Sequence, residues 1–176
     1  MPENNIEFFS IYDIGFYKTY IKNLQVEDLI KKVYKYKETW PTNASRSNMG
    51  GYQSTIDINT HPDFFSLTQN LNNLFFKAFQ NPLQIIKGMW INISPHGCYN
   101  DIHTHGFDPR LISGVIYLQV PENSGEIEFR NPLMLSEPVT HFPVAKEVLL
   151  FSQNIPHQVK PNLSQEDRIS IAFNYG

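Results

Sequence analysis

Asp167-Arg168-Ile169-Ser170-Ile171-Ala172-Phe173-Asn174 is a strand with two unlike faces. In an extended chain Ile169, Ile171 and Phe173 fall on one side, and Arg168, Ser170, Ala172 and Asn174 on the other. The second face begins with a guanidinium and a hydroxyl two residues apart. A guanidinium matches a carboxylate bidentately, and a hydroxyl can add a third hydrogen bond. The three apolar residues need a packed layer, so Arg168 and Ser170 are expected to point inward, into a barrel.

Upstream the chain stays strand-like. Residues 84–94, 111–120, 126–129 and 147–151 are β-rich runs separated by Pro, Gly and Asn clusters. Short strands at such spacing suggest a sandwich or barrel. Before Pro82 helix and strand mix. Residues 6–12 read as a strand. Residues 26–36 read as an amphipathic helix with Leu29, Ile30, Val33 and Tyr34 at helical spacing. A second helix starts near Thr60-His61-Pro62-Asp63, where Thr60 and Asp63 have capping-box spacing and Pro62 suits a first turn. Its stripe of Phe64, Leu67, Leu71, Leu74, Phe75 and Ala78 should pack on a sheet face. The expected class is α+β: one domain over 1–176, with a jelly-roll core at 83–176 and a support region at 1–82 whose helices cover one sheet.

Composition narrows the function. Aromatics are 14% of the 176 residues, which suits a strand-rich core. Acids outnumber bases 17 to 14, so the net charge of -3 leaves no footprint for a nucleic-acid backbone or an anionic membrane. The one cysteine, Cys98, cannot form an internal disulfide. The polar N-terminus shows no signal-peptide core, and no apolar run reaches the roughly 18 residues of a membrane span. A soluble, cytoplasmic protein is expected.

The sharpest local feature is Asn100-Asp101-Ile102-His103-Thr104-His105. His103 and His105 should project together, about 6–7 Å apart along the strand, and can chelate one metal ion. Asp101 shares that face. His157 opens a strand after the apolar run Leu149-Leu150-Phe151 and a polar turn. Arg168 follows eleven residues later.

This set resembles the 2-oxoglutarate/Fe(II)-dependent oxygenase superfamily, whose pattern is His-x-Asp/Glu, a distal His, then Arg-x-Ser about ten residues on. More narrowly, the chain resembles a family of small 2-oxoglutarate oxygenases of bacteria and phages. The matching segments are Ser47-Asn48-Met49-Gly50-Gly51-Tyr52-Gln53-Ser54, Trp90-Ile91-Asn92-Ile93, 99–105, Ser113-Gly114-Val115-Ile116-Tyr117-Leu118 and 168–174. The resemblance implies a double-stranded β-helix and a dioxygenase, acting as a hydroxylase. Its cofactors would be Fe(II) and 2-oxoglutarate, with O2 and a second substrate, a small molecule or protein side chain, as its other partners. It implies His103 and His157 as metal ligands, Arg168 and Ser170 as the grip on the distal carboxylate of 2-oxoglutarate, and Tyr117 and Asn92 as further cosubstrate contacts. Asn48, Tyr52, Gln53 and Asn174 are candidate substrate contacts. Gly50-Gly51 permits a tight turn or close approach, and a hairpin into a strand over 52–58 is the plainer reading.

His105 stands where the superfamily has an acid, which ordinarily completes a facial triad with two histidines. Three readings follow. His105 is the third ligand; or Asp101 ligates, otherwise orienting a ligand ring from behind; or the site holds metal poorly. The cupin family is the rival resemblance. Gly97 precedes His103 and His105 at the distance of the cupin Gly-x5-His-x-His motif. The expected Glu is missing, with Pro109 and Arg110 in its place, and Asn162 falls one residue late for the second motif. That rival implies a three-histidine metalloenzyme that does not use 2-oxoglutarate. A non-catalytic β-helix binding module is the third class.

Overall fold

The structure is a computed structural model, and it describes residues 7–11, 14–44, 46–55, 57–81, 83–108, 110–131 and 138–176. The chain opens with β1 (Glu7–Ile11), β2 (Ile14–Tyr20) and helix α1 (Val26–Thr39), followed by the two-residue strands β3 (Asn48–Met49) and β4 (Tyr52–Gln53) and by helix α2 (Pro62–Phe79). Strands β5 (Ile86–Ser94), β6 (Tyr99–His103), β7 (Ile112–Gln119) and β8 (Ile127–Phe129) come next. The last are β9 (Val139–His141), β10 (Glu147–Ser152), β11 (His157–Val159) and β12 (Arg168–Tyr175). The fold is α+β, with a double-stranded β-helix core. A seven-stranded sheet runs β1-β2-β10-β7-β12-β5-β4, and a five-stranded sheet runs β3-β6-β11-β8-β9.

Period-two alternation sorts side chains between two cores. Ile169, Ile171 and Phe173 of β12, Ile91 and Ile93 of β5 and Ile116 and Leu118 of β7 point outward, to the helices. There they meet Leu29 and Val33 of α1 and Phe64, Leu71 and Phe75 of α2. Each such side chain, buried in full, contributes about 1.5–3 kcal/mol of transfer free energy. The opposite side of the same strands faces the smaller sheet. Tyr117, Leu149 and Phe151 pack there against Ile127 and Phe129.

Three local expectations change. Thr60 does not cap α2: the His61 ring accepts the Asp63 N–H at 3.3 Å from the N-cap position, while Pro62 takes the first turn. Gly50-Gly51 is not a hairpin. β3 pairs with β6 of the small sheet and β4 with β5 of the large one, so the chain crosses between sheets there. Gly51 is required by that crossing, because a Cβ would lie 2.5 Å from the carbonyl oxygen of Ile93. The strand expected over 52–58 is pairing at Tyr52 and Gln53 plus a single bridge from Ser54 to Asn43. No helix among the described residues is long and apolar enough to cross a membrane.

Candidate metal centre

His103 closes β6, His157 opens β11, and the two residues are direct partners in that antiparallel pair. His105 lies just beyond β6, where its N–H donates to the carbonyl of Gln153 at 2.9 Å. The three side chains converge, with one ligand atom from each lying within 4.8 Å of the others.

Main-chain carbonyls prepare two of the rings for metal. Nδ1–H of His103 donates to the Asp101 carbonyl at 2.7 Å, and Nδ1–H of His157 donates to that of Ile155 at 2.9 Å. A carbonyl can only accept, so each ring turns a bare Nε2 to the centre. The Nε2 of His103 accepts from the Ser47 hydroxyl at 3.3 Å. His105 stacks on Trp90, with ring centroids 5.4 Å apart, and has a side-chain hydrogen bond to Asn174. All three rings are held neutral. Burial lowers His103, lowers His105 to about 4 with help from His103, and puts His157 well below the usual range. Neutral imidazole is the form that ligates.

The donor set therefore suits a borderline divalent ion and contains no carboxylate. Asp101 supports His103 through its main chain and not through its carboxylate. Its carboxylate is exposed and accepts the Ile102 N–H at 2.8 Å, while its carbonyl orients His103.

One cavity of about 280 Å³ lies between the sheets, lined by all three histidines and by Arg168, Ser170, Tyr117, Asn92, Gln53 and Asn174. The register explains the polar wall. Gln53 pairs with Asn92, Asn92 with Ser170, and Ser170 with Tyr117, making one row across β4, β5, β12 and β7. Arg168 lies at the far end. Trp90, on the metal side, pairs with Ala172, four residues along β12 from Arg168, or about 13 Å of strand.

Arg168 is 3% exposed. Its Nη1 donates to the carbonyls of Ser124, of Gly125 at 3.5 Å and of Lys160 at 3.1 Å. Its Nη2 is buried without a hydrogen-bond partner among the described residues, as is Oδ1 of Asn92. No carboxylate pairs with Arg168 there. Glu128 is bound to Lys160 and Gln158 instead. A buried guanidinium with a free edge fits an anion. Burial also pushes the Tyr117 phenol up, so it stays a neutral donor.

The other sequence candidates divide. Asn48 is buried and donates to the Gly51 carbonyl at 2.7 Å, bracing the sheet crossing. Tyr52 lies in the helix-side core and donates to the Trp40 carbonyl at 2.8 Å, so it does not line the cavity. Sequence reasoning missed Trp90 and Arg46, both of which line it. Trp90 was legible, since it shares a strand face with Asn92. Arg46 had no periodic signal.

Residues 89–176, half of the chain, match the 2OG-Fe(II) oxygenase superfamily. Among solved structures, AviO1 from Streptomyces viridochromogenes Tue57 superposes with a TM-score of 0.72 at 13% identity, covering 93% of this chain and 90% of that one. A Pseudomonas putida prolyl-4-hydroxylase gives 0.68 at 18% identity, with 92% of each chain covered. HygX from Streptomyces hygroscopicus, with nickel and 2-oxoglutarate bound, gives 0.68 at 13%, covering 93% and 82%. At these identities the likeness is one of fold. A comparison with curated proteins found no match.

Proposed function

Because the chain belongs to the 2OG-Fe(II) oxygenase superfamily, we propose that it is a 2-oxoglutarate-dependent dioxygenase that hydroxylates a second substrate, releasing succinate and CO2. The observation that carries this reading is the free Nη2 of buried Arg168, a residue that lines the cavity holding the three histidines. Iron held by His103, His105 and His157 would supply the redox chemistry that couples decarboxylation of the keto acid to oxidation of the substrate.

The chain's own residues have defined tasks in this reading. Arg168 grips the distal carboxylate of 2-oxoglutarate, with the Ser170 hydroxyl and the neutral Tyr117 phenol as added donors. The carbonyl cage around Nη1 fixes the guanidinium before the cosubstrate arrives, which lowers the ordering cost of binding. Asn92 lines the path between that anchor and the histidines. Phe151, stacked edge-on against His157 at 4.6 Å, keeps the ligand side of the centre apolar and dry.

The donor set favours a second reading. Three imidazoles without a carboxylate also suit a cupin-type metalloenzyme that does not use 2-oxoglutarate. Anaerobic titration of the protein with Fe(II) and then 2-oxoglutarate separates the two. The oxygenase reading expects a weak visible charge-transfer band on adding the keto acid, because the band requires the keto acid bound at iron. Iron binding without that band would leave the cupin-type reading.

A further inference from the structure

A second cavity of about 280 Å³ adjoins the first. The two share Arg46, Gln53, Trp90 and Asn174, so they meet beside the ring that stacks on His105. The rest of the second wall includes Lys87, Asp57, Ser54 and Thr55, and apart from Ala44 and Trp90 no lining side chain is apolar. An aliphatic substrate would find no complementary wall there.

Gln53 supplies the pointer to a ligand. It is 5% exposed, and its Oε1 is buried without a partner among the described residues. The backbone of Gln53 is fully used, its N–H donating to Asn43 and its carbonyl accepting from Ala44. The side-chain oxygen is left, and it calls for an N–H or O–H donor. Arg46 and Lys87 are exposed and form no ion pair among the described residues. Asp57 spends Oδ1 on the Met89 N–H at 3.2 Å. Two cations and one acid around one space favour a single negative charge on what enters.

We propose that the second cavity seats the substrate to be oxidised, and that this substrate is a small amino or hydroxy acid. Its carboxylate meets Arg46 and Lys87, and its N–H or O–H donates to Gln53. Trp90 forms the shared wall and holds the substrate's reacting end toward the His105 side of the metal centre. The inference rests on the oxygenase reading of the first cavity for its chemistry, but not for its binding site.

The test uses the full chain loaded with Mn(II), which binds like iron without turning over. Ligand-observed NMR is run with the standard L-amino acids, lactate and malate as probes, with and without 2-oxoglutarate. At least one acid should bind. Arg46→Gln should weaken it about tenfold or more and Lys87→Gln severalfold, and Lys87→Gln, outside the first cavity, should leave 2-oxoglutarate affinity within about twofold. Both residues are on the surface, so both variants should fold. The inference is overturned if no acid binds to protein that does bind Mn(II) and 2-oxoglutarate. It is equally overturned if Arg46→Gln leaves the acid's affinity unchanged, or if Lys87→Gln removes 2-oxoglutarate binding instead. Failure of 2-oxoglutarate alone, with Arg46-dependent binding of an acid retained, removes the oxygenase reading and keeps the subsite. Failure of both removes both.

Discussion

His105 and His157 face each other with their Nε2 atoms 3.3 Å apart. The Ile155 carbonyl takes the Nδ1–H of His157, so the Nε2 of His157 is a bare lone pair. His105 must then place either a proton or a shared cation opposite it. A divalent ion between the rings satisfies both, along with His103. Replacing any of the three histidines with Ala should reduce Mn(II) or Fe(II) affinity beyond the roughly 10–100-fold cost of losing a supporting group. Asp101→Ala should change affinity by less than about threefold, since the carbonyl that orients His103 remains. Calorimetric titration of the four variants checks this; a loss at Asp101 equal to that at His105 would make the carboxylate a ligand after all.

Acid should destabilise the metal-free protein through the same rings. Each histidine is lowered in the folded state, so below about pH 6.5 the unfolded chain takes up protons that the folded chain refuses. Stability tied to these groups is therefore intact above the unfolded value. It is lost as pH falls, with His105 contributing down to about 4. Thermal melts in chelator at pH 7, 6, 5 and 4.5 should show a falling midpoint. His105→Asn should flatten that slope, and a midpoint independent of pH would contradict the burial of these rings.

Tyr52 separates stability from function. Its hydroxyl ties the helix-side core to the Trp40 carbonyl, and the residue is not part of the cavity lining. Tyr52→Phe should cost about 1 kcal/mol of stability in denaturant titration. It should leave metal and 2-oxoglutarate binding as they are. Loss of 2-oxoglutarate affinity in this variant would return Tyr52 to the list of site residues.

The contrast between Tyr52 and Ser170 shows what was legible beforehand. β12 alternates over eight residues, and one of its faces is wholly apolar, so the inward side of Arg168 and Ser170 followed from period two alone. The strand β4 is two residues long. Two residues carry no period, and the residue that faces the cavity, Gln53, is set by the crossing between sheets that the pairing of β3 with β6 and of β4 with β5 shows. The same holds for Asp101. Alternation placed its side chain with His103, but its carbonyl is what meets the ring. β2 went unread, and β9, at three residues, is fixed by pairing with β8. The two helices needed only spacing and apolar stripes, and the shared face of His103 and His105 only strand alternation, while His157 joined them through the family resemblance.

Gly125 gives the strongest test of how the cosubstrate anchor is built. Its φ of +92° suits glycine, and a Cβ there would lie 2.2 Å from the Lys160 carbonyl oxygen and 2.7 Å from Nη1 of Arg168. Those are the atoms of the cage that holds the guanidinium. Gly125→Ala must therefore push the cage open or turn Arg168 away, without touching the histidines. The expected result is a fall in 2-oxoglutarate affinity of about tenfold or more, with metal affinity unchanged. Arg168→Ala should be more severe, since the charge itself is gone, and Arg168→Lys should recover little because an ammonium cannot present the same fork. A shorter keto acid without a distal carboxylate should be nearly indifferent to all three changes. Titrations of Mn(II)-loaded protein with 2-oxoglutarate and with pyruvate check both arms. If Arg168→Ala binds 2-oxoglutarate as the parent does, the guanidinium is a structural pin for the 124–125 and 160 loops, and the cosubstrate assignment falls with it.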